Sequence, residues 1–385
     1  MTVATVPKVP KAVYRYWACD LRTGAKIAQL PLTASGALPD RIGDIGTAQF
    51  TCDMTAVWRD GGDFIGTTTP GRTVIVLERE YDGDDTSDIL WAGIVLPRER
   101  GSDPTARLNC ATMATYLNRR YAATHNYSST TDGQILTDLL NDAAPEGIGF
   151  ILDIQCPTVR NNWRVLAKER RSVFACIKEL GDQDDGPEWT ITTRWTDANR
   201  LAIQHVVTAR PRLGWAGDPN VRFDFPGSVR SYVAVDDFTE GHGGNHIVGL
   251  ASSGAASTPA RDEQAITQQG WARWEENVST SGSQTAAGLL SAAKDALKKR
   301  ARGQTTTSLE LDMTLGPQYG RDWTLGDNTL FFVAGPESPG DDPPSFAHPN
   351  GHSETIRVIG AAIDPAKETI TPVLWSPYDE EATAS

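Results

Sequence analysis

Positive charge is short in this chain of 385 residues: 36 lysines and arginines face 49 aspartates and glutamates, a formal net charge of -13. A protein that grips a nucleic-acid backbone shows a basic face, so that class of partner is disfavoured, while an acidic surface repels polyanions. Cysteine is sparse. Cys19, Cys52, Cys110, Cys156 and Cys176 are far apart, odd in number and free of any C-x-x-C pair. That spacing supports neither a zinc site nor a disulfide framework. Each cysteine is expected to be a small buried hydrophobe in a reducing cytoplasm. Long apolar runs are missing too, since no stretch approaches the ~18 residues of a membrane span. The N-terminus MTVATVPKVPKAVYRYW lacks the apolar h-region of a signal peptide. There is no P-loop, no G-x-S-x-G elbow and no H-E-x-x-H.

What is present is turn residues and tryptophan: Gly 35, Pro 23 and Trp 11, against Met 4. That balance suits a turn-rich β protein better than a helical bundle. At roughly 150 residues per domain the length predicts two or three domains.

The first ~120 residues carry the short, closely spaced strands of a small barrel or sandwich. Val13–Cys19 and Ala25–Leu32 form a hairpin around Asp20–Gly24. Gln49–Met54, Thr73–Glu80, Ile89–Leu96 and Arg107–Ala111 follow, with Trp58-Arg59-Asp60-Gly61-Gly62 in a loop and Asp82–Asp85 in a turn. Residues 121–212 change character. Thr131 and Gln134 have capping-box spacing, and Ile135, Leu136, Leu139, Leu140 and Ala143 recur with helical period up to Pro145. A strand at Ile148–Ile154, a helix from Ser172 with Gly181 as its C-cap, and a hairpin of Glu188–Trp195 with Leu201–Val207 complete an α+β module.

From 213 the pattern is β again, with Phe223, Phe225, Ser231–Val235 and His246–Leu250. A loop at Ala251–Pro259 opens the irregular stretch 251–284. Ala286–Arg302 is the strongest helix, with Ala286, Leu289, Leu290, Ala293, Leu297 and Ala301 on one stripe and Gly303 at its end. Strands at Thr305–Leu315, Thr329–Val333, Thr355–Ile363 and Thr369–Trp375 close the chain, around a proline-rich loop at Pro336–Gly351. The tail Asp379–Ser385 is expected to fray.

Four clusters could carry chemistry. Asp82–Asp88 has alternating carboxylates, but Ser87 and Gly93 stand where a calcium loop needs Gly and Glu, so a solvated turn is the better reading. His242 and His246 flank a Gly-rich stretch that will not hold two imidazoles on a helix face, and no third ligand is near. His348 and His352 lie in the proline-rich loop. Trp271, Trp274, Glu275 and Glu276 could form a sugar platform with paired carboxylates, though packing or interface tryptophans fit as well. Lys298, Lys299, Arg300 and Arg302 match the negative end of a helix dipole. No catalytic, cofactor-binding or metal-binding residue is assigned from these, and the chain is expected not to be an enzyme and to need no cofactor.

The order of features resembles that of the tail-hub proteins of long-tailed bacteriophages, which include the myophage baseplate hub and the siphophage tail-associated or minor tail proteins. The likeness rests on the opening hairpin Tyr14–Leu32 and on Arg72–Glu80 leading by its acidic turn into Ile89-Leu90-Trp91-Ala92-Gly93-Ile94-Val95. It continues through Asn245-His246-Ile247-Val248-Gly249, Gln269-Gly270-Trp271-Ala272-Arg273-Trp274-Glu275, the helix Ala286–Arg302, the turn Tyr319-Gly320 to Leu325-Gly326-Asp327, and Val358-Ile359-Gly360 to Thr371-Pro372-Val373-Leu374. The resemblance implies a mainly β fold of two small β-barrel (tube-like) domains, an intervening α+β module and one long helix. The barrels would be residues 1–120 and 213–385, with the module at 121–212 and the helix at 286–302. It implies a homotrimer forming a pseudo-sixfold ring that joins the distal tail ring to the tip and lets DNA through. Its partners would be the distal tail protein, the tape-measure protein and tip or fibre proteins, and its place the virion tail tip, assembled in the host cytoplasm. It would lack the C-terminal peptidase or receptor-binding extensions of some relatives. The alternative is a carbohydrate-binding or glycan-hydrolysing β protein acting on host cell wall.

Overall fold

In the computed structural model, residues 11–81, 87–183, 185–251, 256–280, 285–338 and 341–375 are described. The turn at Asp82–Asp85, residues 252–255 of the Ala251–Pro259 loop and the tail Asp379–Ser385 lie outside them. The chain is mainly β and includes a half-barrel sheet. It divides into two compact units, one of residues 1–231 with 309–374 and one of residues 232–308 with 375–385.

The first unit opens with the expected hairpin, β1 (Ala12–Asp20) and β2 (Lys26–Leu30). Asp20 Oδ1 accepts from the backbone N–H groups of Arg22 and Thr23 and so shapes the turn. Gly24 has φ +73°, and a Cβ there would sit 2.1 Å from the Ile203 carbonyl, so the turn needs glycine. β3 (Leu32–Ala34), β4 (Leu38–Arg41) and β5 (Thr47–Asp53) follow. Trp58 is not in a loop. It lies on helix α1 (Met54–Arg59), started by Asp53, whose side chain accepts from Thr55 N–H; α2 (Phe64–Thr67) starts the same way on Asp63.

Then come β6 (Thr73–Tyr81), β7 (Ser87–Glu99) and β8 (Thr105–Thr112). The seven strands of this sheet run β2-β1-β6-β7-β8-β5-β3. β6 is central and covered on both faces, which is why Val74–Leu77 reads as an unbroken apolar run. β4 leaves this sheet and pairs elsewhere.

The module begins after α3 (Ala114–Leu117). Its small pairs, β9 (His125–Tyr127) with β13 (Trp163–Val165) and β10 (Thr130–Thr131) with β12 (Val159–Arg160), were not foreseen. Helix α4 (Asp132–Ala143) starts on Thr131, whose hydroxyl accepts from Gln134 N–H. Only half of the capping box forms, because the Gln134 amide turns to Asp138 instead. α5 (Val173–Gly181) starts on Ser172; Gly181 is its last residue and Asp182 its cap. β11 (Phe150–Ile154), β14 (Glu188–Trp195) and β15 (Ile203–Arg210) make a sheet ordered β11-β15-β14. Leu136, Leu139, Ile177 and Leu180 fill its core with Val207 and Trp189.

β16 (Arg222–Phe225) and β17 (Val229–Asp237) lead out of the first unit. The second unit pairs β18 (His246–Ala251) with β19 (Ala260–Arg261) and, in parallel, with β20 (Glu275–Thr280), which follows the short α6 (Glu263–Gln268). Helix α7 (Ala286–Arg300) lies on β18 so closely that a Cβ on Gly249 would be 2.2 Å from the Leu289 carbonyl. Ala293, Ala296, Ile247 and Ala260 form the core between them.

The chain returns through β21 (Gln304–Asp312) to β22 (Asn328–Val333), β23 (His352–Asp364) and β24 (Thr369–Leu374). Their sheet runs β16-β22-β23-β24-β21-β17, with β4 paired to β23. The turn at Leu325-Gly326-Asp327 has a physical reason for its residues. Gly326, at φ +97°, abuts the Leu213 carbonyl at 2.3 Å from where a Cβ would be. Asp327 accepts from Thr324 N–H at 2.7 Å and from Trp215 N–H at 2.5 Å.

Candidate functional site

Strand β6 buries two adjacent charges, Glu78 and Arg79, at 1% and 0% exposure. Successive side chains on a strand point to opposite faces, so each builds its own network. Glu78 accepts from the indole N–H of Trp17 at 2.6 Å, from that of Trp195 at 3.0 Å and from the Ser87 hydroxyl at 2.7 Å. Arg200 lies 3.5 Å away. A carboxylate survives burial only when its oxygens are satisfied in this way. The Lys26 ammonium sits 3.7 Å and 4.5 Å from the ring centres of Trp17 and Trp195, and burial pulls its pKa below the ordinary lysine range.

Arg79 faces the other way. It donates to Asp88 at 2.9 Å, to the Tyr319 carbonyl at 2.8 Å and to the Gln318 side-chain oxygen at 3.3 Å. The Tyr81 hydroxyl donates to the same Gln318 oxygen at 2.8 Å, and Arg321 donates to Asp88 at 2.6 Å. The β6–β7 hairpin is thereby fixed to the turn before β22.

Within the first unit these networks border a cavity of about 560 Å³. Ser87–Ala92 of β7 and Thr190–Trp195 of β14 line it, with Asp40, Tyr319 and Leu325. The Tyr319 hydroxyl donates to Asp40 at 3.1 Å. Burial raises the Asp40 carboxyl above its ordinary range, and burial followed by the nearby Asp40 charge raises the Tyr319 phenol well above its own. The lining combines hydroxyl and carboxyl groups with apolar surface.

Of the clusters singled out in the sequence, only the end of the acidic run, Ser87 and Asp88, reaches this cavity. Of that run's carboxylates, Asp88 alone is described, and Arg79 and Arg321 hold it. His242 approaches Asp237 at 3.9 Å, and His246 approaches Glu275 at 3.7 Å. The rings of His348 and His352 stack 4.2 Å apart instead of converging on a point, and His352 meets Glu354. Among the described residues no group of three or more His, Cys, Asp or Glu is placed to hold a metal ion.

Glu275 and Glu276 are neighbours on β20 and point to opposite faces, Glu276 being buried and paired with Arg300 at 3.3 Å. They cannot flank one glycosidic bond, so these two carboxylates do not form a hydrolytic pair. Trp271 and Trp274 close on Phe238, at 5.5 Å and 5.7 Å between ring centres, and the buried Asn245 side chain holds the loop by bonding Ala272 and Trp274. The basic helix end is also spent locally: Arg300 pairs with Glu276, and Arg302 pairs with Asp262 and lies over Trp271. All five cysteines are free and buried, and burial pushes the Cys19 and Cys110 thiols up to about 12.

Sequence reasoning missed Asp40, Glu78, Arg79 and Tyr319 as parts of a site. A signal for two of them exists, since Glu78-Arg79-Glu80 interrupts the apolar run of a strand covered on both faces.

No protein-family model and no curated protein matches the chain. Solved structures do. The tail protein from Neisseria meningitidis MC58 superposes with a TM-score of 0.50 at 14% identity, covering 94% of this chain and 97% of that one. The 43 kDa tail protein of prophage MuSo2 from Shewanella oneidensis superposes with a TM-score of 0.53 at 15% identity, covering 94% of this chain and 98% of that one. The fold is that of prophage tail proteins. At such identities the likeness is one of backbone, and it extends over both units of the tail-protein fold rather than over one sheet.

Proposed function

We propose that this protein is a structural hub at the tail tip or baseplate of a long-tailed bacteriophage. The observation that carries the reading is the match of 94% of the chain to two prophage tail proteins along nearly their whole lengths. Conserved architecture at 14% and 15% identity fits a role that depends on shape and assembly.

In this reading three copies assemble. Each supplies two barrel-like domains, residues 1–120 and 213–385, and six such domains form a pseudo-sixfold ring with the 121–212 modules between them. The ring joins the distal tail ring to the tip, holds the end of the tape-measure protein, meets tip or fibre proteins, and later passes DNA. Two seven-stranded sheets with free edges give it material for lateral association. A net charge of -13 suits a wall that DNA slides past without being held. The chain carries out no reaction and needs no cofactor. It sits at the virion tail tip after assembly in the host cytoplasm.

Co-expression with the tape-measure and distal-tail proteins of its source phage tests the reading. Stable co-purification of both is expected. Recovery of this chain alone, with the other two proteins soluble, would overturn it.

A further inference from the structure

Strand β7 is paired differently along its length. At Gly93 and Ile94 it pairs with both β6 and β8, whereas over Ser87–Ala92 it pairs with β6 alone, because β8 ends at Thr112 opposite Gly93. The place beside Ser87–Ala92, in line with β8, opens into the cavity. A second free edge borders it. β14 is the terminal strand of its sheet. The Gly43 N–H donates to the Trp189 carbonyl, which turns Trp189 to the outer edge and, by the two-residue alternation, Ile191, Thr193 and Trp195 after it. The cavity therefore presents two rows of strand backbone, and the partner that satisfies such rows is another extended backbone.

The lining also holds Asp40, Asp88 and Arg194, and among the described residues one of the two carboxylates is left without a cation. Asp88 is neutralised by Arg79 and Arg321. Asp40 has the Tyr319 hydroxyl and the Arg41 backbone N–H, and among the described residues no cation pairs with it. The apolar atoms of Leu90, Ile191 and Leu325 line the same space.

We propose that this lane receives an extended segment of a partner protein, added as a strand in line with β8 and paired with Ser87–Ala92, with a lysine or arginine side chain facing Asp40. Six residues of free edge span ~20 Å at 3.3–3.4 Å per residue, so a segment of five or six residues fills it. The charge follows from complementarity: a cation in the cavity stabilises the Asp40 carboxylate that burial disfavours. The assignment names a partner for the tail-tip reading but does not depend on trimer formation.

The test uses the full chain and three synthetic pentapeptides: acetyl-Thr-Val-Lys-Val-Thr-amide, the same peptide with Glu for Lys, and the Lys peptide N-methylated at all five residue nitrogens. Hydrogen exchange of Ser87–Ala92 is followed by mass spectrometry during titration. The Lys peptide is expected to slow exchange there and to bind about tenfold more tightly than the Glu peptide, while the N-methylated peptide, which cannot donate to a strand edge, gives no protection. Asp40→Asn is expected to abolish the Lys-over-Glu preference; the peptide series alone decides the matter if that variant does not fold. No protection by the Lys peptide at millimolar concentration, or equal protection by all three, overturns the proposal. So does slow exchange in the protein alone that quickens on deleting residues 1–10, which would make the occupant part of this chain. Protection that rises with protein concentration alone would make it a second copy and overturn the proposal equally. Failure of the Lys peptide to bind leaves the co-purification that tests the tail-tip reading untouched, so the two can fail separately.

Discussion

Glu78 and Arg79 stand side by side on β6 and face opposite layers, so the strand is held by hydrogen bonds on both sides as well as by apolar packing. Glu78→Ala would leave two indole N–H groups and the Ser87 hydroxyl without their acceptor. Urea unfolding is expected to show a loss of about 3 kcal/mol or more, and Glu78→Gln, which keeps one acceptor oxygen, a smaller loss of about 1 kcal/mol. His205 gives a pH dependence. Its ring is 3% exposed, bonded through Nδ1 to the Thr193 hydroxyl at 2.9 Å, and burial lowers its pKa from 6.5 to about 4. The unfolded chain therefore takes up a proton as pH falls through 6.5 while the folded chain does not until about 4. Its contribution is whole above pH 6.5 and shrinks as pH falls toward 4, by about 3 kcal/mol at most. Denaturant midpoints measured from pH 7 to 4 should fall less steeply in His205→Gln than in the parent.

At the scale of elements, the close approach of α7 to β18 at Gly249 makes a sharp prediction. Gly249→Ala places a methyl against the Leu289 carbonyl, and the helix must shift at a cost of about 1–3 kcal/mol. Amides of α7 should then exchange measurably faster, while Gly36→Ala, where nothing lies within 4 Å, should leave them unchanged. Elements with local causes were legible in the sequence. The Asp20–Gly24 turn and the Thr131 and Ser172 helix starts depend on residues within one turn of each other, whereas the last helix stops at Arg300 with Ala301 as its cap, short of the expected end at Arg302–Gly303. Trp58 was misplaced because Asp60-Gly61-Gly62 looks like a loop, while the Asp53 side chain three residues before the first full turn ends is a weaker mark. The cavity was not legible. It depends on where β8 stops against β7 and on β4 pairing with β23 across more than three hundred positions, and side-chain periodicity carries no information on either.

At the scale of the molecule, the resemblance in order of features proved to be one of backbone, since two prophage tail proteins superpose on 94% of the chain. The short motifs behind it have structural work to do: Gly326 and Asp327 close a turn against Leu213 and Trp215, and Asn245 pins the Trp271–Trp274 loop. Among the described residues none of those tried for catalysis converges on a common point, and the two seven-stranded sheets end in free strand edges. Those edges make oligomerisation the central claim. Light scattering coupled to size exclusion at micromolar concentration tests it most directly. A mass three times the 41.7 kDa of the chain is the result expected; a single species at the mass of one chain across that range would contradict the account.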